Sequence, residues 1–323
     1  MTHRIAIIGA GMVSLSCART LRRAGFYVEI FEGDRVVGGR MGTSRLGVVP
    51  FDHGAQYVSV RSSRFRTYVE ELANSGYAAP WHPRIQGMEE GYVPNWYVGT
   101  PGMSALVRPL AESVRVHTNR RVHTLQRIDK GWHLWFDDQT SSGPFAAVAV
   151  AVPAPEASLI LGREAPDLAD QIGGVRFSPC WALMIRLEEK VLPDYDAYSD
   201  MSQVIRWVGR NNKKPGRSSR GEHIVVHASP AWTRETEDAD AEAVAEELWS
   251  EVCHLLDLPP VRPQQMGAYL WRHGLVEQPL GETYVLDSGL MVGAAGDWCR
   301  GRLADQAFES GAALGKAMVD ALT

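Results

Sequence analysis

The 323-residue sequence predicts an α/β chain of two domains, one of them built on a β-α-β nucleotide-binding unit. Three observations carry that prediction. A short β-branched run, RIAIIG, leads straight into a glycine-rich turn; apolar residues at helical spacing follow in MVSLSCARTLRRAG; a second strand-like run, YVEIFE, comes next. Strand, helix and strand in that order, with glycines at the first junction, make a Rossmann-type β-α-β unit.

The turn reads GAGMVS, where a dinucleotide site usually has three glycines. Gly9 and Gly11 let backbone amides approach a pyrophosphate at the helix N-terminus. The third position serves close packing of helix on strand, so Ser14, among the smallest replacements, is expected to shift the helix slightly and leave the anion site intact. Glu32 follows Gly9 by 23 residues, at the end of the second strand, where a carboxylate accepts both ribose hydroxyls. The next stretch, GDRVVGGRMGTSR, places Gly38, Gly39 and Arg40 where an arginine can neutralise a diphosphate from the opposite side.

Further along, RVHTLQRID, a KG turn, WHLWFDD and AAVAVAV read as strands, as do WALMIRLE and HIVVHAS, while AEAVAEELWSEVCHLL reads as a helix. GRNNKKPGRSSRGE, residues 209–222, is polar and turn-rich and reads as a mobile surface loop. Near the C-terminus, LMVGAAGDWCRGRLADQAFESGAALGKAMVDAL reads as strand, turn and long helix. Asp297 sits at the turn, and the helix N-terminus falls around Leu303 and Ala304, where its positive end can meet developing negative charge.

Composition narrows the function. A net charge of -5 leaves no basic excess for nucleic acid or an anionic membrane, which favours small-molecule chemistry. Cys17, Cys180, Cys253 and Cys299 lie far apart without metal-ligand spacing, as expected of reduced thiols in a cytoplasmic protein with no metal site. The N-terminal apolar run reads as a strand rather than a signal peptide, and PFAAVAVAVP is too short to cross a bilayer.

Taken together, GAGMVS, Glu32, GGR at 38–40, DHGAQY at 52–57 and AGDW at 295–298 resemble the FAD-dependent amine oxidase superfamily. The GGRM, GAQY and GDW segments are similar, more closely, to the bacterial renalase-like oxidases, and the likeness continues through WYVGTPGMSAL, SPCWAL, WVGRNNKKP and VHASPAW. The resemblance implies a Rossmann-type FAD-binding domain from residues 1–55, 112–160 and 283–323, with a discontinuous α+β substrate domain from 56–111 and 161–282. It adds Ala55, Gln56 and Tyr57 beside the flavin ring and the backbone of Val122 against the adenine, with Asp297 on a ribityl hydroxyl. No covalent-flavin motif is evident, so the FAD is expected to be non-covalent.

Trp207, Trp232, Trp271 and Trp298 lie in segments that the resemblance brings towards the flavin, and Trp271 and Trp298 are the candidates to stack a planar substrate. His227 is a candidate for the cavity wall, and His273 would share the face of Trp271 in an extended chain. His53 precedes GAQY and could tune the flavin. None of the five lysines lies in a motif beside the flavin, which argues against the amine oxidase branch that has a lysine near N5. The implied reaction is hydride transfer to N5 from a small planar heterocycle, an isomeric dihydronicotinamide, with dioxygen reoxidising the flavin to give hydrogen peroxide. The GAYLWRH segment departs from the bacterial relatives, which leaves open a flavin monooxygenase acting on an aromatic or indolic metabolite, an amine oxidase, or a non-catalytic FAD-binding protein, as monomer or homodimer.

Overall fold

The computed structural model describes residues 3–86, 95–218, 220–259 and 261–323. Arg4–Ile8 is the centre of a six-stranded sheet: Ile5, Ala6 and Ile7 are fully buried, and the strand pairs in parallel with Tyr27–Phe31 on one side and Ala147–Val150 on the other. Val292–Ala294 and Val285–Asp287 extend the sheet at one edge and Arg115–His117 at the other, so three separate stretches of chain build it. Such apolar strands form because both faces are covered: Ile5 and Ile7 cluster with Leu15 and Leu314 on one, and Ala6 and Ile8 with Leu125, Leu134 and Phe145 on the other. Helix Met12–Arg23 follows the glycine turn, and the C-terminal helix Ala304–Leu322 packs on it at close range. A Cβ on Gly311 would lie 2.1 Å from the carbonyl oxygen of Val13, so only glycine permits this approach.

A three-stranded antiparallel sheet, Val122–Ile128, Gly131–Phe136 and Ser141–Phe145, packs on one face of the first sheet. Its first hairpin turns at Asp129 and Lys130, both at positive φ, rather than at the expected Lys130–Gly131. Gly131 instead begins the next strand, where a Cβ would meet Pro144 at 2.6 Å.

The second six-stranded sheet runs in the order Gln265–Gln278, Arg176–Leu187, Glu222–Ala228, Ile205–Arg210, Ala197–Ser199 and Ile85–Gln86. Alternation gives it two distinct faces. Leu183, Ile185, Ile224 and Val226 cluster with Leu248, Trp249 and Val252 of helix Ala241–Leu255. On the other face, Met184 and Val225 cluster with Val49 and Phe51, the strand that leads into DHGAQY. Among the described residues no helix is long and apolar enough to cross a membrane.

Candidate functional site

The glycine motifs converge on one strip. Gly38 donates its amide to the Ala10 carbonyl at 2.9 Å, and a Cβ on Gly39 would find only the Gly11 Cα, at 3.8 Å. Gly9 needs its positive φ of 94° and has no room for a side chain, since a Cβ would meet the Ala151 oxygen at 2.8 Å; beside Gly11 the space is open. A cradle with open backbone at the start of a helix is what a diphosphate requires. Glu32 is fixed at its rim, accepting from the amides of Ala10 at 2.7 Å and Asp34 at 2.9 Å, which leaves lone pairs for ribose hydroxyls.

The strip continues past Arg40. Its carbonyl accepts from the Ala55 amide at 2.8 Å, and its guanidinium donates to Asp297 Oδ1 at 2.7 Å. The two residues expected at the diphosphate and the ribityl chain are thus paired with each other. Leu303 caps the C-terminal helix, its amide held by Gln306 Oε1 at 3.0 Å, and Ala304 opens that helix. Val122, 5% exposed, belongs to the same buried cluster as Phe31 at the end of the ribose-side strand. Ser14 is fully buried, and its hydroxyl has no hydrogen-bond partner among the described residues.

Beyond Arg40 the surroundings turn aromatic. The strand register places Tyr269, Ala182, His227 and Trp207 in one row across the face that looks towards DHGAQY. Trp271 Nε1 at 3.2 Å and His227 Nε2 at 3.1 Å both donate to the His53 carbonyl; an oxygen can only accept, which fixes the His227 tautomer. The His53 ring stands edge-on to Tyr269 and 4.9 Å from Trp271. Tyr57 stacks on Trp96 at 3.7 Å, with Trp81 and Trp207 at 6.1 and 6.0 Å. Burial pushes both His53 and His227 down to about 4, so both are neutral at pH 7; the Lys214 and Arg206 cations add to the effect on His227. Two buried polar atoms here, His53 Nδ1 and Trp207 Nε1, have no hydrogen-bond partner among the described residues. Orphaned polar atoms beside an open cradle fit a polar cofactor with an aromatic ring system.

Several expectations are corrected. Trp298 is 1% exposed inside the nucleotide-domain core, where its indole donates to the Val152 carbonyl at 3.1 Å and braces the GDW turn rather than offering a face to substrate. A register shift between Trp271 and Leu275 breaks the alternation, and His273 meets Phe177 edge-on and pairs with Glu156 at 3.4 Å. Trp232 packs against the helix-covered face of the second sheet. The 209–222 segment, apart from Ser219, which lies outside the described residues, is not a simple surface loop. Asn211, Asn212 and Lys214 are buried within it.

Lys214 also overturns the expectation that no lysine lies at a flavin motif. Its ammonium donates to Asp52 Oδ2 at 3.3 Å and Gln56 Oε1 at 3.1 Å, both within DHGAQY, and lies 5.8 Å from the Trp81 ring centroid. Arg217 donates to the same Asp52 oxygen at 2.5 Å, while Asp52 Oδ1 accepts from the Met103 amide at 2.8 Å and the Thr43 hydroxyl at 3.1 Å. Side-chain exposure of Asp52, Lys214 and Arg217 is 1%, 0% and 2%. Burial, partly offset by Asp52, brings Lys214 down to about 8. No sequence signal separates it from exposed Lys213 next door; only the fold brings Asp52 to it. Among the described residues no group of three or more His, Cys, Asp or Glu could hold a metal, and the four cysteines are free thiols.

Comparison with known proteins bears on the family and the fold. Residues 7–72 match the NAD(P)-binding Rossmann-like domain and residues 75–311 match flavin-containing amine oxidoreductase. A "Putative flavin-containing monoamine oxidase AofH" of Mycobacterium tuberculosis, in strains CDC 1551 / Oshkosh and H37Rv, is 43% identical over 71 residues, 22% of this chain. The match spans 16% of that relative's length. Two solved structures share the fold over 99% of both chains: a "Putative protoporphyrinogen oxidase" from Exiguobacterium sp. 255-15, at TM-score 0.78 and 9% identity, and a redesigned putrescine oxidase, at 0.72 and 14%.

Proposed function

Because the chain belongs to the flavin-containing amine oxidoreductase family and so is an FAD-dependent oxidoreductase, we propose that it is an oxidase of a small planar heterocycle. The donor we favour, by the renalase-like segments, is an isomeric dihydronicotinamide. Bound at this site, a flavin would supply an acceptor for the hydride and a subsequent reaction with dioxygen to give hydrogen peroxide.

The observation that carries this reading is the face over DHGAQY: Tyr269 and Trp271 offer aromatic surface, Trp207 lies buried in the same row as Tyr269, and the two buried imidazoles, His53 and His227, are neutral. A planar donor can stack there with its reacting carbon held in place. A donor that becomes aromatic by losing one hydride needs no strong base, which suits histidines that stay unprotonated and, in His227, spend one nitrogen on the His53 carbonyl. The reduced, largely buried thiols fit a cytoplasmic setting.

A second reading, amine oxidation, draws on the family match and on the capacity of aromatic rings to attract an ammonium group. Anaerobic mixing with a panel of isomeric dihydronicotinamides, amines and indoles separates the readings. One of the dihydronicotinamides should bleach the flavin at least a hundredfold faster than the other classes and give peroxide one-to-one on aeration. Fastest bleaching by an amine, or oxygen incorporated into an indole, overturns the proposal.

A further inference from the structure

The buried cluster behind Gln56 carries more positive than negative charge. Asp52 meets two cations, Lys214 at 3.3 Å and Arg217 at 2.5 Å, and the remaining hydrogen bonds to its carboxylate come from neutral donors, the Met103 amide and the Thr43 hydroxyl. All three charged side chains are at most 2% exposed, so water does little to screen the imbalance. A buried cation beyond the one that a carboxylate neutralises is costly to keep. It persists where another negative charge arrives to meet it. The cluster is also aimed. Lys214 holds Gln56 Oε1, and the Gln56 amide nitrogen donates to the carbonyls of Asp52 at 2.5 Å and Gly54 at 3.2 Å, which sets the backbone of the GAQY segment.

We infer that Lys214 is a positioning residue for the redox step: through Gln56 it sets the GAQY backbone, and its charge compensates the negative charge that the flavin gains on two-electron reduction. The inference rests on the reading that GAQY borders the flavin ring. When a hydride arrives with its two electrons and no further proton is taken up, one negative charge stays on the ring. A fixed cation in a dry site stabilises that charge without reorganising. Lys214 also acts on one member of the row that faces DHGAQY, since its charge, after burial, disfavours protonation of His227. Replacement of Lys214 by an uncharged residue leaves Asp52 and Arg217 as a balanced pair, so the fold is expected to tolerate it.

The experiment is the two-electron reduction equilibrium of the FAD-loaded protein against a reference redox dye, for the parent and for Lys214→Met, Lys214→Gln and Lys214→Arg. The equilibrium constant should fall at least tenfold in the Met and Gln variants, about 30 mV for a two-electron couple, and return to within threefold of the parent in the Arg variant. Gln keeps a hydrogen bond to Asp52 without the charge, so it decides the matter if the Met variant fails to fold. A variant that binds FAD weakly is read by titrating the apoprotein with oxidised and reduced FAD, whose affinity ratio must shift by the same factor. Unchanged reduction in the Gln variant, or equal loss of affinity for both forms of FAD, overturns the inference. A parent that binds no FAD would instead sink the reading of the site, and its lack of colour makes the two failures distinct.

Discussion

Ser14 shows how much one hydroxyl can reveal. Its oxygen is buried without a hydrogen-bond partner among the described residues, which costs about 1–3 kcal/mol relative to a satisfied group. Ser14→Ala should therefore leave FAD retention unchanged and raise the urea midpoint; a loss of FAD would mean that the hydroxyl serves the cofactor. Glu32→Ala should weaken FAD binding roughly 10- to 100-fold, as expected when charge-assisted hydrogen bonds worth about 1.5–3 kcal/mol disappear, measured by titrating the apoprotein. His53 and His227 set a pH dependence. Both take up a proton only near pH 4 in the folded protein and near 6.5 in the unfolded chain, so between those values the unfolded state binds more protons. Unfolding free energy should thus fall as the pH drops from 6.5 to 4, by up to about 1.4 kcal/mol per pH unit for each histidine, and His227→Asn should flatten the slope in urea titrations. In stopped-flow reduction, His227→Asn should change substrate affinity more than rate, whereas Trp271→Ala, which removes one clamp on the His53 carbonyl, should slow reduction at least tenfold. A hundredfold rate loss in His227→Asn, with a titration near neutral pH, would favour the amine reading.

At the scale of elements, the site depends on close backbone contacts that side chains would prevent. The DHGAQY segment is pressed on the GGR turn so tightly that a Cβ on Gly54 would lie 2.1 Å from the Arg40 carbonyl oxygen. Neither partner is a flexible side-chain tip. Gly54→Ala should push Arg40 off its hydrogen bond to the Ala55 amide, destabilise the protein by about 1–3 kcal/mol and weaken FAD binding at least tenfold. Thermal melts with and without FAD would check both effects, and parental behaviour in both would contradict this packing account. The helices expected around residues 12–24 and from 304 onward are legible because their apolar spacing is local. The hairpin at Asp129–Lys130 is displaced by one residue because position 131 faces Pro144 on the neighbouring strand and has no room for a side chain there.

For the whole molecule, FAD is expected to act as a structural bridge. Its contacts would come from the strip of Gly11, Glu32, Gly39, Arg40, Ala55 and Asp297, which the chain supplies from opposite ends. Removal of FAD should lower stability by about 2.7 kcal/mol relative to protein held at a hundred times the dissociation constant, a loss of several degrees in the thermal midpoint. Acid precipitation should release all the colour. Cys299, the thiol nearest the GDW turn, is buried and pushed up to about 11, which disfavours the thiolate that a covalent link would need. A pellet that stays yellow would contradict this.

The sequence by itself determined the nucleotide half of this protein. Gly9, Gly11, Glu32 and the first strand and helix answer to constraints that act within a few turns of chain, where periodicity and turn chemistry are sufficient. Only the tertiary structure decided the aromatic half. Trp271 and Trp298 look alike in sequence, yet one clamps the His53 carbonyl and the other fills a core, because sheet register and domain packing, rather than local spacing, set what each touches. The same holds for Lys213 and Lys214. Adjacent in a polar run, they differ because Asp52, 162 residues away from Lys214, draws one of them into the interior, and a contact over that separation leaves no trace in the local sequence.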